Sequence, residues 1–336
     1  AIGAISCDIL LPPDDRPEGW DAADALADGF DVAGFIASGP RMCIKPLNTA
    51  RTQDRSQRVS AGPSPRISTS GLLGVVILAL LVMSALLGPL VWQVDPQAQD
   101  LVNRLAPPVG FGGTWTHPLG TDTLGRDSLA LLIAGARVSL PLAVGATAAA
   151  GAVGITLGLL AGFQGGWANK LVSWLADVQL AIPFVVFAIV ITVMIGNSVP
   201  NVLVTLIVTG WVAYAQVVGL QARRLRTAEW VEAARAIGAA PSRVMLRHVL
   251  PNVAGTAIVL ATQQAGAMIL YEASLSFLGL GVGGNTVTWG GMAALGRDAI
   301  FKAPWVAALP GLAIALAILG FNLTGDWLAT RQRTGR

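Results

Sequence analysis

The sequence predicts an all-α, polytopic membrane protein with six transmembrane helices. Of its 336 residues, 54% are hydrophobic and only 12% are charged, and the mean hydropathy is +0.63. An ordinary soluble domain carries about 25% charged residues. Several uncharged runs are long enough to cross a hydrocarbon core, which requires roughly 20 apolar residues at about 1.5 Å rise each. The remaining charges are concentrated between these runs.

The first 66 residues precede the apolar runs and are predicted to form a cytoplasmic arm of uncertain status that ends in a basic linker. From Lys45 to Arg66 the composition is rich in Arg, Ser, Gln and Pro, which is typical of a flexible segment near a membrane. Both cysteines, Cys7 and Cys43, lie in this arm. Their spacing indicates neither a disulfide framework nor a CxxC metal site.

A membrane domain is predicted over residues 67–330. The long uncharged stretch after Asp177 divides into two spans at Asn197 and Pro200, because polar residues and proline mark a turn. Residues 273–296 are also uncharged, but their content of Gly, Asn and Thr predicts a structured external loop. The six predicted spans are residues 71–91, 138–163, 178–196, 202–222, 253–271 and 305–323.

Arginine is concentrated in three segments that six crossings place on one side of the membrane. These segments are the linker, residues 223–252 and the tail 331–336. Because cytoplasmic loops are enriched in Lys and Arg, the sequence predicts a multi-pass protein of the inner or plasma membrane with both termini in the cytoplasm. The same placement explains the net charge of +3, so no nucleic-acid partner is predicted.

Between the fourth and fifth spans the sequence predicts two short amphipathic helices joined by a glycine. Thr227 is predicted to cap the first helix, and Gly238 to permit the turn that ends it. Pro241 suits the start of the second helix, and Pro251 is expected to close it before the fifth span begins. The predicted apolar stripe of the first helix comprises Trp230, Ala233, Ala234 and Ile237.

In this segment Glu-Ala-Ala is followed by three residues and then Gly. Nine further residues lead to the position of His248, which is followed by any residue, Leu and Pro. It resembles the EAA loop of binding-protein-dependent ABC importer permeases, except that His248 occupies a position where many members carry Ile. The resemblance implies a type I permease fold and a loop that inserts into a cleft of an ATP-hydrolysing subunit. The residues implied in this coupling are Glu232, Ala233, Ala234, Gly238, Arg243, His248, Leu250 and Pro251.

Two other segments resemble the branch of this family that transports dipeptides, oligopeptides or nickel. One is HPLGTDTLGRD at 117–127, and the other is SLSFLGLGV at 274–282, followed by a Trp-Gly pair. The spacer at 283–287 departs from the Pro-rich pattern that is common in this branch. The external partner-facing or pathway candidates are His117, Asp122, Arg126, Asp127, Glu272 and Trp289.

The resemblance implies a subunit of an ATP-driven importer for dipeptides or oligopeptides that forms half of the translocation pathway. The implied partners are a second homologous permease subunit, two ATP-binding domains or subunits, an extracytoplasmic solute-binding protein, the peptide and the lipid bilayer. The chain has no GxxxxGK[ST] loop. ATP and Mg are therefore expected only in the ATPase partners, and no catalytic residue, bound cofactor or metal site is expected in this chain.

Two alternatives remain open at this stage. A permease for nickel or another small solute would share the signature at 117–127, although one His and two Asp are a sparse ligand set. A protein of a different class, a secondary transporter driven by an ion gradient, would be expected to show inverted repeats and charged residues at the membrane midplane.

Overall fold

The computed structural model describes residues 7–10, 41–44, 69–283 and 286–334. The chain divides into two compact units, Ala1–Ser64 and Pro65–Arg336. In the first unit, strands β1 (Cys7–Leu10) and β2 (Arg41–Ile44) pair antiparallel, with Cys7 opposite Ile44. The all-α prediction missed this hairpin, and the predicted basic linker lies outside the described residues.

The described part of the second unit consists of helices and connecting loops. Its helices are α1 (Thr69–Val91), α2 (Ser128–Leu159), α3 (Gly166–Ala181), α4 (Phe184–Ile195), α5 (Val199–Arg226), α6 (Glu229–Ala236), α7 (Pro241–Val244), α8 (Leu250–Phe277), α9 (Trp289–Gly296) and α10 (Trp305–Thr334). Two π-helical segments, Leu160–Gln164 and Met245–Val249, continue α2 and join α7 to α8. Short 3₁₀ turns lie at Leu101–Asn103 and Arg297–Ala299.

Five helical stretches of the described chain are long and apolar enough to cross a membrane. They are Thr69–Val91, Ser128–Gln164, Val199–Arg226, Pro241–Phe277 and Trp305–Gln332. The pair α3 and α4 makes a sixth span if the two are counted as one, and they are bent by 95° relative to each other. The bend falls at Ile182 and Pro183, where proline disfavours helical geometry in the residue before it.

The predicted third span, residues 178–196, is wrong as a single straight helix. It spans the end of α3, the bend at Pro183 and the whole of α4. Because Lys170 and Asp177 are charged, the apolar run appeared to begin only after them. In the structure a helix forms earlier, from Gly166, and three of its polar side chains, Asn169, Ser173 and Asp177, share one flank.

Other predicted boundaries differ less. The helix containing residues 138–163 begins already at Ser128, because Asp127 caps it by accepting a hydrogen bond from the Ala130 amide at 2.7 Å. The helix containing residues 253–271 extends to Phe277. Helix α10 runs to Thr334, so most of the predicted tail 331–336 is helical.

Helices α2 and α5 form the most extensive helix pair of the bundle. Small residues line their contact: a Cβ atom at Gly158 would lie 2.7 Å from the carbonyl oxygen of Ala215 and 3.1 Å from the amide nitrogen of Gly219. Lipid tails are as apolar as leucine, so helices in a bilayer gain stability mainly from such close backbone packing.

The bundle has two ends, which side-chain contacts identify. At the loop end, Gln332 donates to the Gly255 carbonyl at 2.9 Å, and Arg226 donates to the Gln164 carbonyl at 3.2 Å. The opposite end, here called the cap end, contains residues 92–127, 278–283 and 286–304. There the Trp305 indole donates to the carbonyl of Thr121 at 3.2 Å.

We expect Gly158→Ala to destabilise the bundle by about 1–3 kcal/mol, because the added methyl group overpacks the α2–α5 contact. Gly145→Ala in the same helix is the matched control, since the nearest atom to its Cβ is 3.9 Å away. Both substitutions raise helix propensity equally. Thermal unfolding in detergent measures the difference, and equal midpoints for the two variants would contradict the packing account.

Candidate functional site: an exposed loop and a buried cap

The loop between α5 and α8 is held to the bundle by three buried valines. Val231 of α6, Val244 of α7 and Val249 of the π-helical segment are each 0% exposed. They pack in one cluster with Leu159 and Val218 from the ends of α2 and α5. Arg235 adds a cation–π contact, with its guanidinium carbon 5.0 Å from the centre of the Phe163 ring. The loop is therefore mechanically attached to α2, α5 and α8.

Gly238 ends helix α6 in a left-handed conformation with φ of +85°. Its amide donates to the Arg235 carbonyl at 2.9 Å, and the Ala239 amide donates to the Ala234 carbonyl at 3.1 Å. These two bonds form a Schellman motif, in which glycine is the preferred residue. The prediction that Gly238 permits this turn is confirmed by the geometry.

Two predictions about the loop's helix boundaries are wrong. Thr227 does not cap α6, because it ends α5 and its hydroxyl donates back to the Arg224 carbonyl at 3.2 Å, while Ala228 occupies the N-cap. Pro251 does not close a separate second helix, since it lies in the first turn of α8, where its missing N–H costs little. The π-helical segment before it keeps the helix continuous from Pro241 to Phe277.

The predicted apolar stripe also differs from the buried one. Trp230 is 39% exposed and Ile237 is 87% exposed, whereas the missed residue Val231 carries the buried contact. In so short a helix, apolar residues at three- and four-residue spacing are compatible with burial of either the Trp230 face or the Val231 face. Val244 and Val249 on the following segment pack in the same cluster as Val231, so this shared burial determines that the Val231 face turns towards the bundle.

The loop therefore presents an exposed apolar surface away from the bundle. Trp230, Ile237 and Leu246 form part of it, and the Trp230 and His248 ring centres lie 6.3 Å apart. Most of the predicted coupling residues share this exposure. Glu232, Ala233, Gly238, Arg243, His248 and Pro251 are exposed, and Ala234 and Leu250 are half-buried.

The cap end places Asp127 at the centre of a buried network. Its carboxylate accepts hydrogen bonds from the Trp92 indole at 3.0 Å and from the Ala130 amide at 2.7 Å. The His117 Nδ1 atom lies 2.9 Å from the other carboxylate oxygen. Through these hydrogen bonds Asp127 joins the end of α1 to the start of α2. Because Asp127 is only 2% exposed, it is not available to a partner in this structure.

Asp122 and Arg126 form a second paired unit in the cap. Arg126 donates to Asp122 through Nε at 2.7 Å, and the same carboxylate accepts the amides of Leu124 and Arg126. Asp122 is 3% exposed. Nearby, hydrogen bonds from the Asn103 side chain and the Val102 amide lower the pKa of Asp100 below its usual value. These carboxylates stabilise tight turns.

Glu272 and Trp289 fix helix α9 against the bundle. Glu272 accepts hydrogen bonds from Ser276 at 2.7 Å and from Ser139 at 3.4 Å, and it is 1% exposed. The Trp289 amide donates to the Ser139 hydroxyl, and the Trp289 indole donates to the Leu132 carbonyl at 3.0 Å. Both candidates thus lie buried inside the chain, in contact with α2.

No group of three or more His, Cys, Asp or Glu side chains is close enough together to hold a metal ion within the described ranges. In the cap, His117 and Asp127 contact each other, while Asp122 is engaged by Arg126. The three sequence candidates for a ligand set are therefore divided between two separate networks.

A helical membrane bundle with an exposed, glycine-hinged loop anchored on three spans is the architecture of an ABC importer membrane subunit. The fold matches a solved structure of the MetNI methionine ABC transporter in inward facing conformations, with a TM-score of 0.50 and 20% identity. That match covers 58% of this chain and 93% of the other. The type I permease fold is thus confirmed.

The chain belongs to the family of binding-protein-dependent transport system inner membrane components, which it matches over residues 154–334. Residues 68–108 match the N-terminal transmembrane domain of oligopeptide transport permease C. The predicted family and its location in the inner membrane as a multi-pass protein are confirmed.

Curated relatives cover most of the chain. The di/tripeptide transport system permease protein DppC of Pseudomonas aeruginosa is 40% identical over 76% of this chain and 84% of its own length. The dipeptide transport system permease protein DppC of Alkalihalophilus pseudofirmus is 35% identical over 76% of this chain and 83% of its own length.

Replacing Asp127 by alanine is expected to destabilise the protein by about 2–4 kcal/mol. The change removes the cap of α2 and leaves the half-buried Trp92 indole without an acceptor. Asp127→Asn should lose less, because one amide oxygen still accepts. Chemical denaturation in detergent measures both variants, and wild-type stability of the alanine variant would refute the structural role.

Proposed function

We propose that this chain is the membrane-spanning subunit of an ATP-driven importer for dipeptides or oligopeptides. It pairs with a second, homologous permease subunit, and the two form the translocation pathway. Two ATP-binding domains or subunits bind ATP and Mg and dock on the loop end. A solute-binding protein delivers the peptide to the cap end.

The observation that carries this proposal is the exposed, glycine-hinged loop. Trp230 and Ile237 are exposed apolar side chains on a loop that also exposes the charges of Glu232 and Arg243. A short amphipathic helix with such a face suits a groove on a protein partner. The arginines at the end of α5 support a cytoplasmic position for this loop end, where an ATPase has its nucleotide.

The attachment of the loop supports a mechanism of coupling. Val231, Val244 and Val249 pack against the ends of α2 and α5 and the start of α8. A partner that moves α6 therefore moves three spans together. The left-handed turn at Gly238 lets α6 change its angle to α7 without breaking the continuous α7–α8 helix. This transmits closure of the ATPase dimer to the membrane helices.

Peptides are proposed as the solute because the relatives named above are peptide permeases, and this chain matches them over most of their length. Co-expression of the assembled importer in cells lacking peptide uptake tests this directly. We expect uptake of a labelled di- or tripeptide that requires a functional ATPase partner and is not reduced by excess nickel. Nickel uptake without peptide uptake would favour the alternative solute. Uptake that persists without the ATPase would favour an ion-coupled transporter.

Gly238→Val is expected to lower peptide uptake at least fivefold. Its φ of +85° is strained for a β-branched residue, at a cost of about 1–3 kcal/mol. Gly238→Asn is the matched control, because asparagine tolerates this region. No atom lies within 4 Å of a Cβ placed there, so neither side chain is obstructed within the chain, and the two variants differ in backbone strain at this position. Equal uptake by both, at equal membrane abundance, would contradict the hinge.

A further inference from the structure

Helix α3 carries a polar stripe that the proposed function does not use. Asn169, Ser173 and Asp177 recur at four-residue spacing, which places them on one flank of the helix. The opposite flank carries exposed Trp167 and Trp174. Helix α3 is thus amphipathic although it lies within a bent membrane span.

The stripe faces helix α5 across a groove of about 170 Å³, here called the polar groove. Its walls also include Gln216 and Arg223 of α5. At the loop end, Arg223 donates a hydrogen bond to Asn169 at 2.6 Å. Deeper in the bundle, the Gln179 amide donates to the Thr209 carbonyl at 2.9 Å and closes the space between the two helices.

Asp177 has an exposed carboxylate in this groove, and no side chain of the described chain pairs with it. A carboxylate that faces lipid is costly, and ionisable groups within spans generally face a water-filled cavity or a polar ligand. The flank of α3 that carries Asp177 is therefore expected to border an aqueous space.

The floor of the groove is built from small residues. Ala161, Ala176, Ala215 and Gly219 lie between the polar walls. Small side chains allow an extended backbone to lie close to the helices, while the amides of Asn169 and Gln216 offer both donors and acceptors. The groove thus combines a negative end, a positive end and uncharged hydrogen-bonding groups.

We propose that the polar groove holds a short peptide in transit, with its terminal ammonium at Asp177 and its terminal carboxylate at Arg223. Asn169, which contacts Arg223, precedes Asp177 by eight positions (177 − 169 = 8), which corresponds to about 12 Å along the helix axis. An extended chain spans at most about 3.3–3.6 Å per residue, so this separation suits a peptide of three to four residues. The inference rests on the proposed function and adds a site to it.

The test measures protection of an introduced cysteine in the assembled importer. In a background with Cys7→Ser and Cys43→Ser, Ser173→Cys places a thiol in the groove, and Lys170→Cys is the matched control on the same helix outside it. A membrane-permeant maleimide alkylates each thiol with and without a saturating tripeptide. Uptake of the same tripeptide by each variant is measured in parallel.

We expect the free tripeptide to slow alkylation at position 173 about tenfold or more and to leave position 170 unchanged. The N-acetylated, C-amidated form of the peptide should protect far less, because it lacks both charges. Asp177→Asn should raise the peptide concentration needed for protection about tenfold, as expected for loss of a charged hydrogen bond. Asp326→Asn, at an exposed carboxylate on α10, should not.

Two results would overturn the proposed site while leaving the importer function intact. One is unchanged alkylation at position 173 in a complex that imports the tripeptide. The other is a thiol at position 173 that is unreactive even without peptide, which would show that the groove is not an accessible aqueous space in the assembled importer. An assembled complex that imports no peptide at all would instead refute the proposed function, and this site with it.

Discussion

The close approach of α2 and α5 is the constraint on which the rest of the structure depends. Gly154, Gly158 and Gly162 recur at four-residue spacing along α2 and its π-helical continuation and lie directly against α5. In lipid there is no hydrophobic gain from bringing two apolar helices together, so close backbone contact supplies much of their stability. Asp127 fixes the start of α2 at the cap end, and the π-helical segment ends it beside the loop.

The loop depends on this pair, because its buried valines pack where α2 and α5 end. Val231 and Val249 pack against Leu159 and Val218 in one cluster, and Arg235 makes a cation–π contact with Phe163. Movement of the loop is therefore transmitted to the most closely packed helices of the bundle. At the other end, Glu272 and Trp289 connect α8 and α9 to α2 through Ser139. Both ends of the bundle are thus connected to α2.

The family, the membrane fold and the loop could be predicted because local rules determine them. A left-handed turn selects glycine at position 238, and a long uncharged run such as 71–91 is a helix in lipid whatever its neighbours are. The residues whose structural roles were predicted wrongly are those whose roles depend on tertiary contacts. Thr227 had a good capping side chain, but α5 continued to the residue before it. Sequence spacing alone could not choose between the faces of Trp230 and Val231.

The charged candidates show the same limit. Asp122, Asp127 and Glu272 were predicted to face a partner or a pathway, and all three are buried within the chain. Each is satisfied by groups far away in the sequence or in a tight turn, which composition does not reveal. Asp177 is the opposite case, because it is exposed. Its charge placed the start of the predicted span after it, so most of the helix that contains Asp177 was left out. Its spacing from Asn169 and Ser173 was the signal that indicated an amphipathic helix.

The proposed function requires the exposed face of α6 to bind an ATPase partner. Site-specific incorporation of a photoreactive phenylalanine analogue at Ile237, which is 87% exposed, tests this most directly in cells that contain the whole importer. The expected result is an ultraviolet-dependent adduct with the ATP-binding subunit, and no such adduct when the analogue replaces Phe301 at the cap end. Adducts with lipid alone at position 237, in a complex that still transports peptide, would contradict it.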